Sequence, residues 1–228
     1  MHTLQRERTS FAALLDRAHA LAVPGERKIL GITGAPGAGK STLAEALVAE
    51  LGPSLAVLVP MDGYHLANEV LESLGRMATK GAHDTFDASG YVSLMRRIQA
   101  QGTGVPGVDE DVVYAPVFRR DIEEPIGSSI PVLRETPLVI TEGNYLLLGD
   151  EPWPRAREIL DESWFIAPDE ERRMQQLVDR HMRFGRSREA AIERSAGSDQ
   201  RNAEMIIATA ALADHVFSLT DRVPPQAS

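Results

Sequence analysis

The segment ILGITGAPGAGKS, residues 29–41, carries the strongest structural signal in this chain of 228 residues. Its second part, GAPGAGKS at 34–41, satisfies the pattern G-x-x-x-x-G-K-[ST], which joins a buried strand to a helix. The apolar run before it is typical of such a strand, and Leu43, Leu47 and Leu51 after it recur at helical spacing. The sequence therefore predicts a strand–loop–helix unit that binds phosphate groups.

Each residue type in this loop has a physical task. Glycines allow successive backbone N–H groups to point at phosphate oxygens, and the positive end of the following helix adds to the attraction. Lys40 is expected to reach the outer phosphates, and the Ser41 hydroxyl is expected to ligate Mg²⁺. The alternative is an ordinary glycine-rich turn with an exposed lysine, which the flanking strand and helix disfavour. The residues predicted to bind the nucleoside triphosphate are Gly34, Ala35, Pro36, Gly37, Ala38, Gly39, Lys40, Ser41 and Thr42.

Apolar runs of strand length alternate with helical patterns along the chain. This order predicts an α/β fold in which helices cover both faces of a mostly parallel sheet, within one domain spanning residues 1–228. Residues 63–136 are expected to form an insertion or lid region. The segment VVYAPVF at 112–118 is expected to form an edge strand because it contains proline. The other predicted strands are 29–32, 55–59, 138–141, 163–166 and 216–219, and the predicted helices include 11–21, 88–101, one from 169 onward and one at roughly 200–213, with a turn-rich break at 102–108.

Composition narrows the functional classes. The balance of 24 Lys and Arg against 33 Asp and Glu gives a net charge of −9, which disfavours nucleic acid or an anionic membrane as the main partner. Because there is no cysteine, the chain can form no disulfide, thiolate metal site or thiol nucleophile. The N-terminus lacks a continuous apolar core of signal-peptide length, and no apolar run is long enough to span a bilayer. We expect a cytoplasmic protein.

The segments outside the loop separate the classes of nucleotide-binding protein. Small GTPases usually carry an Asn-Lys-x-Asp segment that recognises guanine, and this chain has none. Motor and transporter ATPases carry a buried strand that ends in Asp, together with further characteristic segments. Here the corresponding strand ends in Glu142-Gly143, and those segments are missing. A small-molecule kinase is therefore the better fit.

A kinase needs a carboxylate that orients the acceptor hydroxyl or takes its proton. Asp62 follows the second predicted strand, at the carboxyl edge where open α/β sheets bind ligands. Glu142 ends another buried strand and is expected to face the same phosphates. The alternatives are a turn aspartate before Gly63 and a salt-bridged glutamate at a strand end, because both occur without catalysis.

Six segments follow one another in a characteristic order: GAPGAGKS, VPMDGYHL, KGAHDTFD, YAPVFRRDIEEPI, VITEGNYLLL and ERRMQQLVDRHMRFG. Over roughly residues 28–220 they resemble the phosphoribulokinase, uridine kinase and bacterial pantothenate kinase family of P-loop kinases. The resemblance is greatest to its small bacterial members described as nucleoside/nucleotide kinase-like or fructose-transport-system kinases. It implies a parallel five-stranded sheet, Mg·ATP as donor and the alcohol group of a small molecule as acceptor. It also implies that Asp62 is the catalytic base, that Glu142 holds Mg²⁺ with Ser41, and that an arginine-bearing helix within 169–195 forms a lid over ATP.

Arginines are concentrated between residues 172 and 188, in the expected lid. A mobile lid would use one or two of them to neutralise charge on the transferred phosphoryl group. We select Arg173 and Arg180 as catalytic candidates beside Asp62 and Lys40. The alternative for each arginine is a solvated side chain paired with a nearby carboxylate.

Further residues are expected around the acceptor. For Tyr64 and His65, directly after Asp62, contact with the acceptor competes with plain packing. Arg119 and Arg120 could read an anionic acceptor such as a phosphorylated sugar, or could instead pair with acidic residues that follow them. The resemblance adds the KGAHDTFD segment to the acceptor pocket. The residues predicted to bind the acceptor are Asp62, Tyr64, His65, Lys80, His83, Arg119, Arg120 and Glu142.

The identity of the acceptor stays open at this point. A sugar, with fructose first, competes with a nucleoside and with pantothenate. A hypothesis of another class is a regulatory nucleotide-binding protein that has lost catalysis, and the intact Lys40, Ser41, Asp62 and Glu142 disfavour it. A homodimer is compatible with the chain length, since kinases of this size often pair.

Overall fold

The computed structural model of the protein describes residues 6–101, 110–183 and 185–224, so the predicted turn-rich break at 102–108 lies outside the described residues. The strands are β1 Glu7–Thr9, β2 Lys28–Thr33, β3 Ala56–Pro60, β4 Val112–Arg119, β5 Glu124–Leu133, β6 Leu138–Glu142, β7 Glu162–Ile166 and β8 His215–Leu219. The helices are α1 Phe11–Leu21, α2 Lys40–Leu51, α3 Asn68–Ser73, α4 Ala88–Ala100, α5 Trp153–Arg157, α6 Glu170–Arg183, α7 Arg188–Ala196 and α8 Ser198–Ile207.

Six of these strands form one sheet in the order β1-β8-β7-β2-β6-β3, and each neighbouring pair runs parallel. The other two, β4 and β5, form a separate antiparallel hairpin. The predicted α/β fold with a mostly parallel central sheet is confirmed.

Side chains that alternate in direction along the central strands fill two cores, one on each face of the sheet. On one face, Leu30, Ile140 and Trp164 pack with α1 and α2. On the other face, Val139 and Phe165 pack with α4 and α5. Because helices cover both faces, β6 is buried over its whole length, up to and including its terminal glutamate.

All five strands predicted for the central sheet are present, and the helices expected at 11–21, at 88–101 and from 169 onward are confirmed. The last helix ends at Ile207 instead of near 213, and a 3-10 turn, Ala210–Leu212, follows it. Across the described ranges, no helix combines the length and the apolarity needed to cross a membrane.

Two strands were not predicted. The sixth strand of the central sheet, β1, pairs with β8 at the edge and has only three residues, too few to show a periodic pattern. The hairpin strand β5 contains Pro125 and Pro131, and proline in a strand removes a ladder hydrogen bond. A two-stranded hairpin has one open side along each strand, so proline is tolerated there.

The hairpin packs against the 3-10 turn Met61–Tyr64, which follows β3 and carries Asp62. A Cβ atom on Gly63 would lie 2.5 Å from the carbonyl oxygen of Pro116 in β4. A Cβ atom on Gly143, just after β6, would lie 2.6 Å from the Cβ atom of Met61. The turn is therefore held between the end of β6 and the hairpin, at distances that only glycine permits.

This contact predicts that Gly63→Ala destabilises the protein by about 1–3 kcal/mol, because the added methyl group overpacks a contact with backbone that cannot move away cheaply. Gly149→Ala is the matched control, since a Cβ atom there meets nothing within 4 Å. Urea unfolding of the two variants measures the difference. Equal midpoints for both variants would show that the hairpin does not press on the turn.

Candidate active site

The phosphate-binding loop lies between β2 and α2, and α2 begins at Lys40. Gly37 in the loop has a φ of +81°, and a Cβ atom there would lie 2.7 Å from the carbonyl oxygen of Arg173 in α6. Glycine is required at this position both by the left-handed backbone and by the close approach of α6. The loop therefore curls at the N-terminal end of α2 with α6 packed directly against it.

The two predicted carboxylates lie at the same edge of the sheet. In the parallel register, Glu142 in β6 is the partner of Ile32 in β2 and of Pro60 in β3. Asp62 is two residues beyond Pro60, in the turn that follows β3. The Ser41 hydroxyl donates a hydrogen bond of 3.1 Å to Oε1 of Glu142. The structure thus brings the loop serine and the strand-end glutamate together, and their shared role as Mg²⁺ ligands stays a prediction.

Two opposite charges are buried at this edge. The Lys40 residue is 8% exposed and Glu142 is 6% exposed. Burial, followed by repulsion from Asp62, raises the pKa of Glu142 to about 7, although Lys40 and the Ser41 hydroxyl oppose the shift. Burial also lowers the pKa of Lys40 to about 8, against the attraction of Glu142. Both groups are therefore destabilised in their charged forms, and a ligand with complementary charge would relieve that cost.

The donor set beside the loop fits Mg²⁺. Ser41 and Glu142 offer a hydroxyl and a carboxylate oxygen, and Mg²⁺ typically takes one or two protein oxygens together with phosphate oxygens and water. Within the described part of the chain, no group of three or more His, Asp or Glu residues is arranged to hold a metal ion. This pair suits a cation that arrives with a nucleotide better than one held by protein ligands alone.

A cavity of about 860 Å³ opens beside the loop, within the size range of small-molecule and nucleotide sites. Its lining includes the loop residues Gly37 to Thr42, one face of α6, and residues 219–223 at the end of β8 and beyond it. Arg172, Arg180 and Arg183 line it from α6. A polyanionic nucleotide would therefore meet positive charge from the loop and from α6.

The two selected lid arginines occupy different positions. Arg180 lines the cavity, and burial followed by the like charge of Arg120 lowers its pKa. Arg173 is 2% exposed and donates from Nη1 to the carbonyl oxygen of Pro36 at 2.9 Å. Its other nitrogens donate to the Glu170 carboxylate at 2.8 and 2.6 Å and to Oε1 of Gln200 at 2.6 Å.

These bonds correct the expectation for Arg173. The side chain does not line the cavity, and its guanidinium group joins the phosphate-binding loop to α6 and α8. Arg173 is therefore placed to position the loop, and of the two candidates only Arg180 is placed to face a phosphoryl group.

Asp62 and its neighbours form the part of the site that the sequence predicts to bind the acceptor, called the acceptor side below. The Oδ2 atom of Asp62 accepts a hydrogen bond of 3.2 Å from Nη2 of Arg120. His65 bonds through Nδ1 to the backbone oxygen of Asp62 at 2.8 Å, and its pKa is lowered mainly by burial. The ring of Tyr64 packs edge-on against Tyr91 with centroids 5.7 Å apart. His65 and Tyr64 thus support the turn through packing, whereas the Asp62 carboxylate is partly exposed beside it.

Hydrogen bonds connect the KGAHDTFD segment to the hairpin and to the residue Tyr145 after β6. The Lys80 ammonium group bonds to Oδ1 of Asn68 at 2.6 Å and to the backbone oxygen of Glu123 in the hairpin turn. The Tyr145 hydroxyl, just beyond β6, donates to the carbonyl oxygen of Gly81 at 2.6 Å. The His83 ring lies edge-on to Tyr145 with centroids 6.1 Å apart. Lys80 therefore holds the hairpin, while His83 borders the acceptor side.

The neighbouring hairpin arginines diverge. Arg119 makes a two-pronged ion pair with Asp121, at 2.8 and 2.6 Å, and both side chains are more than half exposed. Arg120 turns toward Asp62 and also lines the cavity. The expectation that both arginines read the acceptor is therefore corrected for Arg119, which follows the alternative of salt bridging.

Several residues of the site were missed by sequence reasoning. Thr220 and Asp221 line the cavity immediately after β8, and the edge rule that selected Asp62 could have found them. Gln200 and Tyr145 carry no local signal, because their partners are distant in the chain.

A family model described as methylmalonyl-CoA mutase-associated GTPase MeaB matches residues 3–59. That range contains β1, α1, β2, the phosphate-binding loop, α2 and most of β3, and it stops before Asp62. The match therefore concerns the nucleotide-binding elements and not the acceptor side.

Other similarities extend over most of the chain. A protein of Schizosaccharomyces pombe named as a putative uridine kinase is 32% identical over 204 residues, which are 85% of this chain and 84% of that one. The ATP-dependent kinase-like protein notR′ of Aspergillus versicolor is 35% identical over 153 residues, 64% of this chain and 87% of its own length. The crystal structure of a putative fructose transport system kinase from Silicibacter sp. TM1040 is 34% identical with a TM-score of 0.77, covering 91% of this chain and 98% of its own.

The buried glutamate predicts an unusual pH dependence of stability. The pKa of Glu142 is about 7 in the fold against an ordinary value of 4.5, so the folded state binds more protons between these values and stability falls as pH rises through them. Without nucleotide or Mg²⁺, Glu142→Gln should therefore raise the free energy of unfolding at pH 8, by at most about 3 kcal/mol, and leave it unchanged near pH 4. It should also weaken the Mg²⁺ dependence of nucleotide binding.

Urea unfolding at the two pH values, with Glu50→Gln as an exposed control on α2, measures this effect. A Glu142→Gln variant that is less stable than the wild type at pH 8, or whose Mg²⁺ titration is unchanged, would assign the carboxylate to a stabilising ion pair instead.

Proposed function

The chain belongs to the family of P-loop kinases that includes uridine kinase, phosphoribulokinase and pantothenate kinase, and from this we propose that it transfers the γ-phosphoryl group of Mg·ATP to an alcohol group of a small molecule. The observation that carries the proposal is the arrangement at the carboxyl edge of the sheet. The buried pair of Ser41 and Glu142 adjoins the phosphate-binding loop, and a second carboxylate, Asp62, follows the neighbouring strand. A protein that only binds a nucleotide would need the carboxylate of Glu142, but it would not need that of Asp62.

In the proposed reaction, Lys40 and the loop amides hold the phosphates, and Ser41 and Glu142 hold Mg²⁺, which when bound neutralises charge on the phosphate oxygens. Asp62 orients the acceptor hydroxyl and accepts its proton. The acceptor oxygen then forms a bond to the γ-phosphorus as the bond to the bridging oxygen breaks, and ADP leaves. Arg180 faces the cavity and offsets the negative charge that the phosphoryl oxygens carry during transfer.

For the acceptor, we favour a neutral molecule rich in hydroxyl groups, with fructose first. One support is the similarity to the structure named as a fructose transport system kinase. Another is that Lys80 bonds to Asn68 and Glu123, and Arg119 bonds to Asp121, so these two cations are engaged within the protein. A nucleoside meets the same charge requirement, whereas the carboxylate of pantothenate would need an additional cationic partner.

Turnover with a panel of acceptors tests this proposal. We expect Mg·ATP consumption in the presence of fructose, other neutral sugars or nucleosides to exceed the rate with water alone, and pantothenate and phosphorylated sugars to give no increase. Product analysis by mass spectrometry would identify the phosphorylated alcohol. If no acceptor raised turnover above the water background, the hypothesis of a nucleotide-binding regulatory protein would replace that of a kinase.

The base assignment predicts that Asp62→Asn reduces kcat by at least about 100-fold, because general-base catalysis typically contributes that much, and leaves the affinity for Mg·ATP within a factor of two to three. Asp150→Asn is the control, since Asp150 is exposed and does not line the cavity. Steady-state kinetics and nucleotide titration of both variants provide the measurement. Normal turnover in Asp62→Asn would remove Asp62 from the mechanism.

A further inference from the structure

Arg120 occupies a place between the two halves of the site. It lines the cavity together with the loop residues Gly37 to Thr42, and its Nη2 atom lies 3.2 Å from Oδ2 of Asp62, which is not among the lining residues. Arg120 is also the one lining residue that comes from the β4–β5 hairpin, among the residues that the structure describes. A single guanidinium group thus reaches from the nucleotide side to the acceptor side.

The β4–β5 hairpin that carries Arg120 is fixed by three contacts with the acceptor side. Pro116 lies against Gly63, as described above, and Lys80 bonds to the backbone oxygen of Glu123. The Glu124 carboxylate accepts hydrogen bonds of 2.9 and 3.2 Å from the backbone N–H group of Asn68 at the start of α3. The placement of Arg120 is therefore determined by the same elements that place Asp62.

Arg120 shares the cavity with the phosphate-binding residues Lys40 and Ser41. Its charge also counters the raised pKa of Glu45, another lining residue of the cavity. Arg120 is thus close enough to the loop to act on a phosphate bound there.

We propose that Arg120 is a catalytic residue that contacts the transferred phosphoryl group from the hairpin side while it orients Asp62. This inference rests on the proposed kinase function and gives the hairpin arginine a role beyond recognition of an anionic acceptor. A guanidinium group has five N–H donors, so it can bond to the Asp62 carboxylate and to a phosphoryl oxygen at the same time. The bond to Asp62 is partly exposed, with side-chain exposures of 37% and 24%, and such pairs rearrange at low energetic cost.

During transfer, the acceptor proton moves to Asp62, the new bond from the acceptor oxygen to phosphorus forms, and the bond to the ADP oxygen breaks. Arg120 exchanges no proton and changes no bond of its own. It stabilises the negative charge on the phosphoryl oxygens from the side of Asp62.

A pair of nucleotide titrations tests the contact without an acceptor. Isothermal titration calorimetry would compare Mg·ADP, which lacks the γ-phosphoryl group, with the Mg²⁺ complex of the non-hydrolysable β,γ-imido analogue of ATP. Arg120→Ala should weaken binding of the analogue by about 10-fold and change ADP binding by less than twofold, as expected for one lost charge-assisted hydrogen bond. Equal effects on both ligands, or no effect on either, would overturn the proposal.

Arg119→Ala is the matched control, because the adjacent arginine is exposed and paired with Asp121 outside the site. Its binding of both ligands and its unfolding midpoint should equal those of the wild type. Arg120→Lys keeps the charge but lacks the planar fork, so its affinity for the analogue should lie between those of the wild type and Arg120→Ala.

Kinetics with an acceptor found by the panel gives a second readout. In Arg120→Ala, kcat should fall by about 100-fold with the acceptor KM within a factor of three, and added guanidinium chloride at millimolar concentration should restore part of kcat. A raised acceptor KM with an unchanged kcat would assign Arg120 to acceptor binding and overturn the proposal. Failure of the wild type to phosphorylate any acceptor would count against the kinase function, whereas the two titrations decide the Arg120 contact separately.

Discussion

Two opposite charges, the carboxylate of Glu142 and the ammonium group of Lys40, are buried together at the carboxyl edge of the parallel sheet. Burial raises the pKa of Glu142 and lowers the pKa of Lys40, and both shifts favour the neutral form of the group. The surrounding protein therefore does not fully compensate either charge. A buried charge without full compensation costs free energy in the folded state, and a ligand that supplies phosphate oxygens with a divalent cation reduces that cost. Binding of such a ligand would therefore reduce the free-energy cost of burying these two charges.

The acceptor side depends on an element outside the central sheet. The β4–β5 hairpin packs on the turn that carries Asp62, and Gly63 permits the approach of Pro116. At the turn of this hairpin, two adjacent arginines have the same chemistry but different surroundings. Arg119 is the last residue of β4, and Arg120 is the first residue of the turn. Arg119 is directed to a local carboxylate, whereas Arg120 is directed back across the turn to Asp62. One step along the backbone therefore separates a surface ion pair from a residue of the site.

The α6 helix is coupled to the phosphate-binding loop by a buried guanidinium group. Arg173 bonds to the carbonyl oxygen of Pro36 and to Gln200 in α8, and a hydrogen bond of 2.7 Å joins His181 in α6 to Asp199 in α8. A displacement of α6 would strain these bonds and the close contact at Gly37. The role of residues 169–195 as a lid remains a prediction, and these bonds connect such a lid directly to the phosphate-binding loop.

The sequence by itself determined the features that rest on local patterns. The loop was readable because glycine, lysine and serine recur at fixed spacing between a strand and a helix, and Asp62 and Glu142 were readable because each follows an apolar run. The parallel sheet then carries such strand ends to one edge. The tertiary structure alone decided what depends on long-range contacts: the added strand β1, the proline-containing strand β5, the positioning role of Arg173 and the divergence of Arg119 from Arg120. The reason is that contacts with residues far along the chain set the direction of these side chains. Arg120 is directed by Asp62, and Arg173 is directed by Pro36. The spacing of residues in the sequence does not reveal such partners.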